Sequence, residues 1–150
     1  MAELPERKRL HHAVPAWVPR GATFFVTINA KARGTDVLTA GIIAERLLES
    51  AALYHERGIW WLHVMLVMPD HLHALLAIAP DRDLAKTLTA WKSYQTKSLR
   101  IEWQAGFFDH RLRHDESFEE KANYIRMNPV RAQLVTRPED WPHVWAPNSR

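Results

Sequence analysis

Two long apolar runs joined by only three residues constrain this chain more than any other feature. Residues 59–67 and 71–78 are dense in large and β-branched apolar side chains, and only Met68, Pro69 and Asp70 separate them. Runs this close must be antiparallel neighbours, because a parallel connection needs a crossover of a dozen or more residues. The first run is apolar on both faces apart from His63, which places the pair inside a sheet. Upstream, Thr23-Phe24-Phe25-Val26-Thr27-Ile28 reads as another strand. Thr35 or Asp36 can cap a helix running to about residue 57, with Ile43, Leu47, Ala51 and Tyr54 inward and Gly58 at its C-terminal end.

Downstream of the hairpin, Pro80, Asp81 and Asp83 open a second helix over roughly 83–103, whose buried side is Leu84, Leu88, Trp91 and Leu99. Residues 107–113 alternate as a fourth strand. Ser117-Phe118-Glu119-Glu120 has the form of a capping box and starts a third helix, expected to run to Asn128, where Pro129 stops it. A helical turn over 130–134 and an aromatic tail over 141–145 finish the chain. The order β-α-β-β-α-β plus a helix predicts an α+β, ferredoxin-like (split βαβ) antiparallel sheet with helices packed on it and one additional C-terminal helix.

The 150 residues fit one domain, expected over 21–150, preceded by an arm over 1–20 that carries Arg7, Lys8, Arg9, His11, His12 and Arg20. Pro5, Pro15 and Pro19 oppose helix in the arm, which reads equally as a solvated tail or a phosphate contact. There is no cysteine, which excludes disulfides, thiolate metal sites and a cysteine nucleophile together. The N-terminus carries charge where a signal peptide needs an apolar core, and no apolar run is long enough to span a membrane. The expected location is therefore cytoplasmic. A net charge of +3 and a pI near 9.4 are compatible with nucleic acid without establishing it.

The chemistry-bearing residues fall in two places. His71 and His73 are two apart on a strand, so both imidazoles leave the same face and can ligate one metal ion; a hydrogen-bonded polar pair is the alternative. Tyr124 and Asn128 are four apart on the third helix and share a face one turn apart. An asparagine carbonyl oxygen beside two imidazoles makes an N,N,O set that suits Mg²⁺ or Mn²⁺ with a phosphate substrate. Asn128 can also be simply a helix-ending residue, and Tyr124 a packed ring. A phenol becomes a useful nucleophile when a metal-bound phosphate draws charge from phosphorus. Its attack leaves a covalent phosphotyrosine that a DNA hydroxyl can reverse, which favours cutting and rejoining over digestion.

Met68-Pro69-Asp70-His71-Leu72-His73, Trp91-Lys92, Phe107-Phe108-Asp109-His110-Arg111 and Tyr124-Ile125-Arg126-Met127-Asn128-Pro129-Val130-Arg131-Ala132 together resemble the REP-associated tyrosine transposases. These form a single-tyrosine branch of the HUH endonucleases, related to small insertion-sequence transposases, and the resemblance spans roughly residues 18–145. It implies His71, His73 and Asn128 as ligands of a divalent metal, Tyr124 as nucleophile, and a 5′-phosphotyrosine linkage. It also implies single-stranded or hairpin DNA from palindromic repeats as the substrate, acted on by a monomer or a homodimer. Gln133 departs from the usual glycine in a turn that bears no chemistry.

Around these residues, Lys92, Lys97 and Arg100 stand on the second helix with no acidic residue between Lys86 and Arg100, which favours phosphate-backbone contact over a merely solvated face. Arg126 and Arg131 flank Tyr124 and suit phosphate geometry. His63 is read as a buried or edge histidine with an outer-sphere role as the alternative, and His110 and His114 as surface residues. Two other functions fit the same residues less fully: a DNA-binding module without transposition, and a metal-dependent hydrolase of small phosphate esters in which Tyr124 only packs.

Overall fold

The computed structural model describes residues 15–18, 22–113 and 117–147. Apart from Pro15, the arm residues singled out above, and His114, lie outside them. Residues 15–18 form a turn in which the Val18 N–H donates to the Pro15 carbonyl, and Val18 is buried, so packing reaches back beyond the expected start at 21.

The hairpin expected from the two apolar runs is present. Strand β2 (Trp60–Val67) turns into β3 (His71–Ile78) through a tight turn closed by the Met68 N–H on the His71 carbonyl at 2.8 Å. Strand β1 (Ala22–Asn29) lies on the other side of β3, with Ala22 opposite Ile78 and Asn29 opposite His71. Strand β4 (Phe108–Arg111) pairs with β1, and β5 (Val144–Trp145) pairs with β2. All pairings are antiparallel and the order is β4-β1-β3-β2-β5, the ferredoxin-like order with one strand added at the β2 edge. Two residues are too few for alternation to register, which is why the aromatic tail did not read as a strand.

One face of the sheet carries helices α1 (Ile43–Glu56) and α2 (Leu84–Leu99). Leu47, Ala51, Leu88 and Trp91 pack there against Val26, Ile28, Leu62, Leu72 and Leu76 in the main core. Helix α1 starts later than Thr35 or Asp36. Gly41, at a φ of 57°, is left-handed and cannot continue a right-handed helix from residue 36. The segment before it instead makes a turn, with the Thr39 and Ala40 N–H groups both on the Asp36 carbonyl. Leu38 is buried there, and its N–H docks on the Pro69 carbonyl.

Helix α2 begins as expected, with the Asp83 carboxylate accepting from the Lys86 N–H at 2.9 Å. It ends at Leu99 and not near 103, because Arg100 takes the left-handed cap at a φ of 61°. Trp103 then lies extended beside Ala30, and its indole N–H bonds the Lys92 carbonyl at 3.1 Å. Trp60, Trp91 and Trp103 stack through the core at 6.1 and 6.2 Å between ring centroids. Trp91 is fully buried at the centre of that row. Trp91→Ala is expected to lower unfolding free energy by about 3–5 kcal/mol, read by urea denaturation.

The opposite face is different. Helix α3 (Phe118–Arg126) and the short α4 (Asn128–Arg131) lie there, and Ile125 packs on Val64, Leu66 and Leu75 in a second, smaller cluster. A β-bulge between Leu62 and Val64 shifts the register of β2 on β3. Because of it, Leu62 and Met65 both join the main core while Val64 and Leu66 join the second cluster, a pattern that strict alternation forbids. The bulged Leu62 N–H is taken up by His55 Nδ1 at 3.0 Å. Among the described residues no helix is long and apolar enough to cross a membrane.

Candidate active site

The face bearing α3 is also the face of the paired histidines. Residues directly opposite one another on antiparallel strands share a face. His73 sits opposite Thr27 on β1 and Leu66 on β2, and Leu66 belongs to the cluster under α3. His71, two residues earlier on the same strand, points the same way. Their ring centroids are 4.9 Å apart.

Each ring is fixed through its Nδ1. His71 Nδ1 lies 2.7 Å from the Asp70 carboxylate, and His73 Nδ1 lies 2.9 Å from the Thr27 hydroxyl. Burial pushes the Asp70 carboxyl up. The Gly34 N–H, the His71 ring and the Arg33 guanidinium together outweigh that effect and hold it below the usual carboxylate range. An ionised Asp70 can only accept, so His71 carries a proton on Nδ1, and its neutral form presents a lone pair at Nε2. The same holds for His73 in the tautomer that donates Nδ1–H to the Thr27 oxygen. Neither Nε2 makes a hydrogen bond among the described residues. Burial, followed by the proximity of His71 and of Arg131, pushes His73 down to about 3, which keeps it in the neutral form a ligand must have.

Tyr124 stands on α3 and is 51% exposed. Its ring lies 6.0 Å from that of Phe25, which lies 5.6 Å from the His73 ring, so Phe25 forms the floor between the tyrosine and the histidines. Arg131 reaches back from α4. Its guanidinium carbon sits 4.0 Å over the Tyr124 ring, and one of its N–H groups donates to the Tyr124 carbonyl at 2.6 Å. One side chain thereby fixes both the ring and the backbone of that turn.

The third helix is shorter than expected. It starts where the capping box predicts, with the Ser117 hydroxyl accepting from the Glu120 N–H at 3.1 Å. It ends at Arg126, however, and Asn128 opens α4 with Pro129 in its first turn. Proline lacks the N–H that would continue the ladder, so the helix breaks before it and a new one starts on it. Tyr124 and Asn128 consequently do not share one continuous helix. Asn128 is half-buried, and its carboxamide makes no hydrogen bond among the described residues.

Among the described residues no group of three His, Cys, Asp or Glu side chains converges as a metal site. Two outward-facing imidazole nitrogens and the free carboxamide of Asn128 nevertheless have the donor chemistry of an open N,N,O set. The outer partners were missed by sequence reasoning. Asp70 had a signal, being adjacent to His71 in the turn, whereas Thr27 becomes visible only once β1 is registered on β3.

The basic residues divide. Arg126 and Arg131 lie on the histidine face. Lys97 and Arg100 are exposed on and just after α2, which packs on the other face of the sheet. Lys92 on the same helix is tied down, its ammonium donating to the Gln104 and Gly106 carbonyls at 3.1 and 2.6 Å, and partial burial lowers its pKa. His63 is half-buried against Phe118, with ring centroids 4.6 Å apart, and is not in contact with the paired histidines.

The sheet thus carries α1 and α2 on one face and, on the other, the half-buried His71 and buried His73 beside an exposed tyrosine. No family model matches the chain. A REP-associated tyrosine transposase of Escherichia coli is 26% identical over 127 residues, covering 82% of this chain and 75% of that protein. A Haemophilus influenzae protein provisionally given the same name is 26% identical over 141 residues, covering 83% and 79%. A solved REP-associated tyrosine transposase bound to a REP hairpin superimposes with a TM-score of 0.72 at 25% identity, covering 83% of this chain and 76% of that one. A Deinococcus radiodurans structure, 16% identical with a TM-score of 0.50, shares the fold over 79% of this chain and 89% of its own. The chain thus resembles the REP-associated tyrosine transposases in sequence and in fold over most of its length.

Proposed function

We propose that this protein is a divalent-metal-dependent nuclease and strand transferase that nicks and rejoins single-stranded DNA at palindromic hairpins through a 5′-phosphotyrosine on Tyr124. The observation that carries this reading is the placement of two Nδ1-anchored imidazoles on the sheet face that also bears an exposed tyrosine. The hairpin bound to the solved relative supports the choice of substrate.

His71 and His73 would hold the ion through Nε2, with Asn128 as third ligand. A bound Mg²⁺ or Mn²⁺ supplies charge neutralisation at the scissile phosphate. The remaining work falls to the chain. Asp70 and Thr27 fix the two imidazoles, Arg131 holds the Tyr124 ring and adds a cation beside the phosphate, and Phe25 walls the site from the core. Tyr124 Oη attacks phosphorus as its proton leaves, the P–O3′ bond breaks, and the 3′ oxygen departs with a proton. The covalent bond keeps the free energy of the phosphodiester, so an incoming 3′ hydroxyl can reverse the step. Arg126, exposed at the end of α3, would contact the strand farther along this face. Lys97 and Arg100, behind the sheet, would be reached only by DNA that wraps around an edge.

The test is a labelled hairpin oligonucleotide with a single-stranded flank, incubated with Mn²⁺ and resolved under denaturing conditions. A covalent band is expected, lost in Tyr124→Phe while hairpin affinity stays within about threefold, since only one hydroxyl is removed. Binding without any band across varied repeats and metals would favour the binding-module reading. Turnover of small phosphodiesters that survives Tyr124→Phe would favour the hydrolase.

A further inference from the structure

The half of the histidine face that α3 leaves open carries a large apolar side chain that no catalytic role uses. Helix α3 sits over β2 and β3, and Tyr124 overhangs Phe25 on β1. Farther out, on the edge strand β4, Phe108 is opposite Thr27, which is opposite His73. The three side chains therefore stand in one row on one face. Phe108 is 59% exposed, while its neighbour Phe107 packs against the main core.

We propose that Phe108 is a stacking platform for an unpaired base of the DNA strand whose phosphate lies at His71 and His73. The inference rests on the function proposed above and adds to it the residue that holds the flanking nucleotide. Two strand spacings separate Phe108 from His73, roughly 10 Å. That is about three nucleotides of a stacked strand at 3.4 Å per step, and fewer of an extended one. A strand leaving the histidines toward β4 passes directly over this ring. Arg131, close enough to act on His73, gives the start of that path the charge a phosphate backbone needs. An aromatic face accepts any base, so the platform would hold the strand in register without reading its sequence.

The test pairs protein variants with substrate variants. The hairpin carries a single abasic position, moved stepwise through the unpaired flank, or 2-aminopurine at the same positions, and affinity and covalent joining are both measured. Stacking on an aromatic is worth about 1–3 kcal/mol per base, so Phe108→Ala is expected to weaken binding of the intact strand by roughly 5- to 150-fold. At one position the abasic substitution should cost the unsubstituted protein the same factor and cost Phe108→Ala nothing further. Phe108→Tyr should keep affinity within twofold, Phe108→Leu should resemble alanine, and quenching of 2-aminopurine at that position should vanish in Phe108→Ala. The ring is exposed, so these variants should melt as the parent does.

Losses in Phe108→Ala that are the same at every abasic position, or affinity kept in both alanine and leucine, overturn the platform while leaving Tyr124-dependent joining intact. Failure of the unsubstituted protein to bind or join any hairpin overturns the function itself, and this inference with it.

Discussion

Alanine at both His71 and His73 is expected to reduce Mn²⁺-dependent strand cleavage by at least about a thousandfold, with hairpin binding largely retained. Removing both imidazoles leaves a hard cation only an amide and solvent, and several kcal/mol of transition-state stabilisation goes with it. The outer partners give a graded version of the same test. Asp70→Asn can still accept from His71 Nδ1 but loses the negative charge beside the ring, and loss of such a partner costs about 10- to 100-fold in metal affinity or activity. That loss should be recovered by raising the Mn²⁺ concentration, whereas the double alanine variant should not recover. Cleavage that persists in the double variant would sink the metal-site assignment.

The second large effect is on stability, in acid and without metal. Burial, with a smaller contribution from nearby His55, pushes His63 down to about 4, and His73 is pushed to about 3. Both take up a proton in the unfolded chain near 6.5 but not in the folded one. Their contribution is thus complete above pH 6.5 and is lost as pH falls from there toward the folded values. Each costs at most about 1.4 kcal/mol per pH unit in that window, so about 2–3 kcal/mol should disappear between pH 6 and pH 5. Urea midpoints across this range measure it. His63 Nε2 is buried without a partner, so His63→Phe should both flatten the slope and stabilise the protein at pH 7 by about 1 kcal/mol. An unchanged pH slope in His63→Phe would show that this ring is not held neutral.

The fold was legible wherever the periodicity was long. The hairpin of β2 and β3, the order of elements and the capping residues Asp83 and Ser117 all stand where the pattern placed them. What was hidden depends on single-residue conformations and on distant pairing. By turning left-handed, Gly41 delays the start of α1 and Arg100 ends α2, the bulge at Leu62 and Val64 breaks alternation, and β5 is two residues long. The site divides in the same way. The shared direction of the two histidines is readable because their spacing on one strand sets it. Thr27 and Phe25 come beside the histidines only through strand register, and no local pattern marks them; the same register aligns Phe108 with Thr27. The expectation that Tyr124 and Asn128 share one helix treated Pro129 as the end of a helix, although it also begins the next.

Strand β3 is the middle of five strands, bonded on both edges along its length and covered by α1 and α2 on one face and partly by α3 on the other. Its amide hydrogens should exchange with solvent only when the whole domain opens, while those of the nine-residue α3 should exchange through local fraying. The two halves of the proposed chemistry therefore live on different clocks. The imidazoles keep their geometry for as long as the protein stays folded, and the tyrosine rides on a unit that can loosen and reseat many times within that span.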